Sequence, residues 1–303
     1  MTKCEKQNLR NGLLFVSPWI LGISFFILYP ALAAIYYSLC EYSVLIPPHF
    51  IGLGNYTDLM QDEVYWKAVW NTCYYVVFAL PLGTLVAIAL ALLLNVETKG
   101  RGIFRTIFFI PSLVPLIALG ILWTWIFNAE YGILNYLLSI IGIHGPNWLT
   151  DPDWAKPALI VTSIWAVGQA MVIYLAGLQD VPIDLYEASD LDGAKRWHKL
   201  WHITLPMISP VIYFNVIIGI INAFQLFAVP YVLSFSTNSN IGGLGDPARS
   251  LLFYTTYLYD NAFRYLRMGY ACAMAWILFI IIVLLTWLAT QLSRKYIFYA
   301  GKE

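Results

Sequence analysis

The charged residues of this chain gather in clusters separated by long uncharged stretches, and that spacing constrains the fold more than any other feature. No Asp, Glu, Lys or Arg occurs between Arg10 and Glu41, Lys67 and Glu97, Arg105 and Glu130, Lys156 and Asp180, Lys199 and Asp246, or Arg267 and Arg294. About 20 apolar residues carry a helix across the hydrocarbon core of a bilayer, and each gap is that long. The gap after Lys199 could hold two helices, but its end from Ser234 to Gly245, rich in Ser, Asn and Gly, reads as a loop. The expectation is an all-α polytopic membrane protein. Its six spans fall near 13–39, 69–95, 106–128, 157–178, 207–228 and 269–291, in one membrane domain over residues 1–303. Composition agrees: 60% of residues are hydrophobic, mean hydropathy is +0.69, and only 11% are charged. Soluble domains carry about 25% charged residues. The net charge of zero gives no general attraction to nucleic acid.

Basic residues set the orientation. With the N-terminus inside, Lys3, Lys6, Arg10, Lys99, Arg101, Arg105, Lys195, Arg196, Lys199, Arg294, Lys295 and Lys302 lie on the cytosolic side. Lys67, Lys156, Arg249, Arg264 and Arg267 lie outside. That bias places both termini in the cytosol. Lys3, Lys6 and Arg10 before an apolar run that reaches Ala31-Leu32-Ala33 could be taken for a cleaved signal. The run continues to Cys40, longer than the 7–15 residues of a signal's apolar region, so the first helix is expected to be retained.

Residues that could do chemistry are sparse. Cys4, Cys40, Cys73 and Cys272 have no metal or redox spacing. Cys40 and Cys73 both fall at outer helix ends, where a disulfide could join them; small buried hydrophobes are the preferred assignment. His198 and His202 share a helix face, but Lys199, Leu200 and Trp201 between them supply no general base. No metal site and no nucleophile elbow are expected. No phosphate-cradling Gly-rich loop occurs, and no span holds the ionisable residue that ion-coupled carriers use. Energy for uphill transport would come from another subunit. Asn55-Tyr56-Thr57 matches a glycosylation sequon but is given no weight, and residues 55–70 are expected to form an amphipathic outer segment capped near Thr57.

One long polar interruption, residues 180–206, separates spans four and five. Pro182 can start a helix, and Asp184, Glu187 and Asp190 suit its first turns. Gly193 permits a left-handed turn, and a second short helix then carries Lys195, Arg196 and Lys199 with Trp197, Leu200 and Trp201. Pro206 opens the next span. Within this loop Glu187-Ala188-Ser189, three residues, Gly193, nine residues, Ile203, one residue and Leu205-Pro206 resemble the "EAA" coupling loop. That loop belongs to permease subunits of bacterial binding-protein-dependent ATP-binding cassette importers. Ile110-Pro-Ser-Leu-Val-Pro115, Gly132-Ile-Leu-Asn135, Leu175-Ala-Gly-Leu-Gln179, Asp184-Leu-Tyr-Glu187 and Met268-Gly-Tyr-Ala271 are similar to its carbohydrate branch, the maltose and glycerol-phosphate permease type. The resemblance covers most of residues 10–292. Ser189 replaces the family's second Ala, and Thr237–Ser250 only loosely matches its usual Gly-Gly-Pro turn.

The resemblance implies an importer-type permease fold in the bacterial cytoplasmic membrane, moving a sugar, with oligosaccharide favoured. It implies a second homologous permease subunit, two cytosolic ATPase subunits that bind ATP and Mg, an extracytoplasmic sugar-binding protein, and surrounding lipid; this chain itself would carry no cofactor. Glu187, Ala188, Ser189, Asp192, Gly193, Ile203, Leu205 and Pro206 would form the ATPase-coupling site. A sugar path needs uncharged hydrogen-bonding groups and aromatic cover. Thr162, Trp165 and Gln169 on span four and Asn215, Asn222 and Gln225 on span five fall at helical spacing and are candidates, with Gly219 on the second stripe. Packing between helices is the competing use of these residues. A stand-alone carrier or channel and a membrane enzyme are the alternative function classes; the former leaves the loop motif without a role, and the latter lacks a candidate nucleophile.

Overall fold

A computed structural model describes residues 3–96, 99–235 and 245–294, with side chains from Lys6 onward. In chain order the elements begin with α1 (Lys3–Ile23), α2 (Tyr29–Ser38), a hairpin of β1 (Cys40–Ser43) and β2 (Ile46–Phe50), and α3 (Gly54–Gln61). Next come α4 (Glu63–Asn95), α5 (Arg101–Phe109), α6 (Leu116–Ile126), α7 (Ile133–Ile140), α8 (Pro152–Trp165) and α9 (Gly168–Gln179). The chain continues through α10 (Ile183–Leu191), α11 (Arg196–Lys199), α12 (Leu205–Met207), α13 (Ser209–Phe224), α14 (Ala228–Phe235), α15 (Tyr254–Tyr259) and α16 (Met268–Ser293).

The fold is therefore mostly helical, with one correction to the all-α expectation. The two short strands pair antiparallel, Cys40 opposite Phe50 and Glu41 opposite His49. Pro47 and Pro48 in β2 lack amide donors, which restricts them to an edge strand and hides the strand from sequence inspection.

Four helical stretches are long and apolar enough to cross a membrane: Lys6–Ser38, Glu63–Asn95, Ser209–Phe235 and Met268–Ser293. Two further candidates are bent pairs, Arg101–Leu113 with Leu116–Ile126 (101°) and Pro152–Trp165 with Gly168–Gln179 (46°), giving up to six if each pair is one span. The spans expected near 106–128 and 157–178 thus each correspond to a bent pair rather than one continuous helix. Before Pro115, Val114 takes the extended conformation (ψ 127°) because the proline ring crowds an α-helical predecessor. At Gly168 a Cβ would lie 2.4 Å from the Phe108 carbonyl oxygen, so close helix approach accompanies the second break. Helix runs as far as Phe235, into the stretch read as a loop from Ser234; residues 236–244, most of that expected outer loop, lie outside the described residues, as do Lys295 and Lys302.

The chain divides into two compact units. The first comprises the described residues 3–62 and 258–279. Here buried Asn55 donates through Nδ2 to the carbonyls of Ser38 (2.9 Å) and Cys40 (2.8 Å), fastening α3 to the hairpin. The amide of the sequon is occupied inside the fold. Thr57 lies within α3, its hydroxyl donating to the Gly54 carbonyl, rather than capping it. Tyr270 donates to the Asp62 carboxylate at 2.6 Å.

The second unit, residues 63–257 and 280–294 as described, is built on α4, which packs against α8, α9 and α13, while α14 packs on α6. Alanine at 87 and 91 of α4 lets α9 approach, and Met171, Tyr174, Leu175 and Ile208 complete that core. A second cluster joins Trp123 and Phe127 to Leu159, Leu233 and Phe253. Asn71 is fully buried and donates to the carbonyls of Arg249 (2.7 Å) and Leu252 (2.9 Å), which ties the segment before α15 to α4. Cys40, Cys73 and Cys272 are free thiols.

Candidate functional site

Residues 182–207 fold as a helical hairpin. Pro182, extended at ψ 130°, precedes α10, and Asp184 stands in its first turn, where a negative charge complements the exposed amides. The helix stops at Gly193, whose φ of +72° is a left-handed conformation disfavoured for residues with a Cβ. There the Gly193 amide donates to the Asp190 carbonyl (3.0 Å) and the Ala194 amide to the Ser189 carbonyl (2.9 Å). These two bonds are the Schellman closure, which satisfies the last carbonyls of the helix.

Two side-chain ties hold the second arm against the first. Lys199 pairs with Asp190, and the Tyr186 hydroxyl hydrogen-bonds Thr204 Oγ1 at 3.0 Å. After α11 the helix widens to a π segment over Leu200–Thr204, with the Leu205 amide reaching the Leu200 carbonyl. Pro206, which has no amide proton, follows one residue later, and such a bulge relieves the missing bond. His198 and His202 stack at 6.0 Å on exposed surface, and no group of three or more potential metal ligands occurs among the described residues.

The structure separates the eight expected coupling residues into two sets. Glu187, Ala188, Asp192 and Gly193 are exposed at the tip, with Ser189 half-buried in the closure. Ile203, Leu205 and Pro206 are half-buried at the root, where Leu205 packs on the α4–α9 core. Sequence inspection missed Leu191, which is 91% exposed beside the turn; with exposed Ile183, Trp197 and Trp201 it gives the hairpin an apolar surface. Its signal was a leucine embedded among acidic residues just before a helix stop.

A second candidate is a groove of about 250 Å³ between α4, α8, α9 and α13. Thr84, Ser163, Asn215 and Asn222 supply its polar lining, and Tyr75 and Tyr174 form aromatic walls. The Tyr75 hydroxyl interacts with Ser163 and the Tyr174 hydroxyl with Thr84. Asn215 donates to the Val211 carbonyl of its own helix at 3.0 Å, which leaves its Oδ1 available to the groove. Gly219 also lines it; a Cβ there would come within 2.4 Å of Leu80 Cδ1.

Of the six path residues expected from sequence, Asn215 and Asn222 line this groove, whereas Thr162, Trp165, Gln169 and Gln225 do not. Thr162 is buried and bonds the Ala158 carbonyl of its own helix. Trp165 sets its ring edge-on to Trp123 at 5.8 Å. Gln169 is exposed beyond the 46° bend, which removes the continuous helix that the Thr162–Trp165–Gln169 stripe assumed. Gln225 is exposed where α13 ends. The missed lining on α4, Tyr75, Ala79 and Gly83, carried a usable signal in its four-residue spacing.

Residues 79–298 match the family model described as binding-protein-dependent transport system inner membrane component. The chain is 37% identical over 302 residues to the probable ABC transporter permease protein YesP of Bacillus subtilis (strain 168), covering 99% of this chain and 95% of that protein. It is 36% identical to the lactose transport system permease protein LacF of Rhizobium radiobacter, covering 94% of each. Among solved structures, a chain of a bacterial ABC transporter that imports the acidic polysaccharide alginate superposes with a TM-score of 0.81 at 26% identity, covering 97% of this chain and 99% of that one. A second structure, of the alginate transporter in complex with an alginate pentasaccharide-bound periplasmic protein, gives a TM-score of 0.82 at 26% identity, covering 96% of both chains.

Proposed function

This chain belongs to the family of binding-protein-dependent transport system inner membrane components, and from that premise we propose that it is the membrane subunit of an ATP-driven sugar importer. It is a multi-pass protein of the inner membrane. Each bent pair counts as one span, giving six, with both termini cytosolic as the basic residues direct. The hairpin 182–207 then faces the cytosol.

The observation that carries the proposal is the hairpin itself. Its tip presents Leu191, Trp197 and Trp201 to solvent, while its root is fixed in the α4–α9 core. A rigid arm with an apolar tip suits docking to a separate ATPase subunit, which binds ATP and Mg and moves the arm as it closes. Movement of the arm is transmitted through Leu205 and Ile208 to the helices that line the groove.

The groove supplies amide and hydroxyl groups beside tyrosine rings, the chemistry that recognises sugar hydroxyls and apolar sugar faces. Its 250 Å³ falls below the ~300–1,000 Å³ usual for a ligand pocket, which suits half of a path completed by a second permease subunit. Relatives named for lactose, arabinooligosaccharides and trehalose/maltose support sugar as the cargo, with oligosaccharides favoured. A periplasmic binding protein would deliver it, as the alginate complex illustrates for its own chain.

The test is affinity purification of the full chain in mild detergent, wild type beside Leu191→Asp. The wild type should bring down an ATPase subunit and a second permease. Leu191→Asp should lose the ATPase and keep the permease, because the side chain is almost wholly exposed and its replacement disturbs no packing. Wild type purifying without any ATPase would overturn the assignment and favour a stand-alone carrier.

A further inference from the structure

Helix α5 has two unlike faces that the transport mechanism does not use. Arg101 and Arg105 stand four residues apart on one side, entered through Gly100 in a left-handed turn (φ +85°). On the other side Ile103, Phe104 and Ile107 are each more than half exposed. Through Pro111 and Pro115 the chain then turns by 101° into α6, so α5 does not continue the apolar rod that follows it.

The two guanidinium groups are short of acceptors. Arg101 Nε and Nη2 and Arg105 Nε are buried without a hydrogen-bond partner, and neither arginine forms an ion pair among the described residues. Arg101 Nη1 and Arg105 Nη1 and Nη2 are not among the buried atoms and reach the surface. Lys99 adds a third cation immediately before the helix. Three cations at the cytosolic end of this bent span put basic groups at headgroup level, with the exposed aliphatic and aromatic side chains that follow among the acyl chains. The accessible nitrogens of the two guanidinium groups, left without a protein acceptor among the described residues, suit an anion with several acceptor oxygens.

We propose that Arg101 and Arg105 clamp the phosphate of an anionic phospholipid of the cytosolic leaflet, with Ile103, Phe104 and Ile107 against its acyl chains. A lipid is favoured over an acidic protein segment because Arg101 and Arg105 stand at the cytosolic end of a bent membrane span whose exposed Ile103, Phe104 and Ile107 follow along the same helix, at the level where headgroup phosphate and acyl chains meet. The proposal rests on the topology given above, in which this end of α5 faces the cytosol.

The experiment uses the purified transporter complex, delipidated and titrated with phosphatidylglycerol or phosphatidylcholine, with bound lipid counted by native mass spectrometry. Wild type should retain phosphatidylglycerol about 30-fold better than phosphatidylcholine, at roughly fivefold for each of the two arginines near an anionic surface. R101Q/R105Q should lose that preference, and R101K/R105K should keep most of it, which separates loss of charge from misfolding. Excess inorganic phosphate should leave lipid retention unchanged, because it replaces the headgroup and not the acyl chains. Equal retention of the two lipids by wild type, or an unchanged preference in R101Q/R105Q, would overturn the proposal. ATPase co-purification is scored on the same samples: its loss in R101Q/R105Q with lipid preference intact would assign these arginines to the ATPase instead. A wild type that binds phosphatidylglycerol selectively but brings no ATPase would leave the lipid site standing and sink the importer assignment.

Discussion

Replacing Gly193 with alanine isolates the conformational demand at the tip of the hairpin. An added Cβ would meet nothing within 4 Å, so sterics between residues contribute nothing. What remains is the backbone, held at φ +72° by the paired Asp190–Gly193 and Ser189–Ala194 hydrogen bonds. An L-residue with a Cβ in the left-handed region costs about 1–2 kcal/mol, a factor of roughly 5–30 in the population of the closed turn. The Lys199–Asp190 pair offers little compensation, since Asp190 is 68% exposed and such pairs are worth about 1 kcal/mol or less. Asparagine visits the same region more readily than alanine. The affinity of the ATPase subunit for detergent-solubilised permease should therefore fall about 5–30-fold for Gly193→Ala and within about threefold for Gly193→Asn. Thermal unfolding of the permease itself should barely change, because the hairpin tip carries no core residue. Wild-type affinity for Gly193→Ala, or equal weakening by the two substitutions, would refute the claim that the left-handed turn presents the docking surface.

Asn71→Leu leaves the Arg249 and Leu252 carbonyls without their donor, a loss of about 2–6 kcal/mol at roughly 1–3 kcal/mol per buried group, and should lower the unfolding midpoint in detergent. Asn222→Leu, which fills the groove with an apolar group, should depress sugar uptake with normal assembly, whereas Gln169→Leu outside the groove should transport nearly as wild type; equal effects would point to helix packing. Burial pushes the Asp260 carboxyl above its ordinary 3.8, against the opposing pull of Arg264. The folded state thus favours the protonated acid, and the stabilisation present below pH 3.8 is lost as pH rises through the raised value. Asp260→Asn should flatten that part of the stability–pH curve, as chemical denaturation at a series of pH values would report.

Sequence read the membrane class and the hairpin well because each rests on a local rule. A 20-residue gap in charge is a statement about solvation, and a glycine after an acidic helix is a statement about backbone conformation. The bends were harder. Pro111 and Pro115 stood in plain view, but proline alone does not fix a 101° angle, which depends on the backbone beyond it. The break at Ala166–Val167 had no punctuation except Gly168, and that glycine's importance lies in the Phe108 carbonyl 60 residues earlier. The groove suffered for the same reason: a helical wheel drawn through Thr162, Trp165 and Gln169 presumes an axis that the fold interrupts. Asn215 and Asn222, on the unbroken part of α13, kept the common face that their seven-residue spacing implied.

The central claim, that ATP hydrolysis on a partner subunit drives sugar through this chain, is tested most directly in proteoliposomes. The purified complex is reconstituted, the sugar-loaded binding protein is supplied on its extracytoplasmic face, and radiolabelled sugar accumulation is followed. Accumulation should require ATP on the cytosolic face, vanish when ATP is replaced by a non-hydrolysable analogue, and persist when ionophores collapse all ion gradients. Accumulation that ignores ATP and disappears with the ionophores would contradict the account and make the chain an ion-coupled carrier.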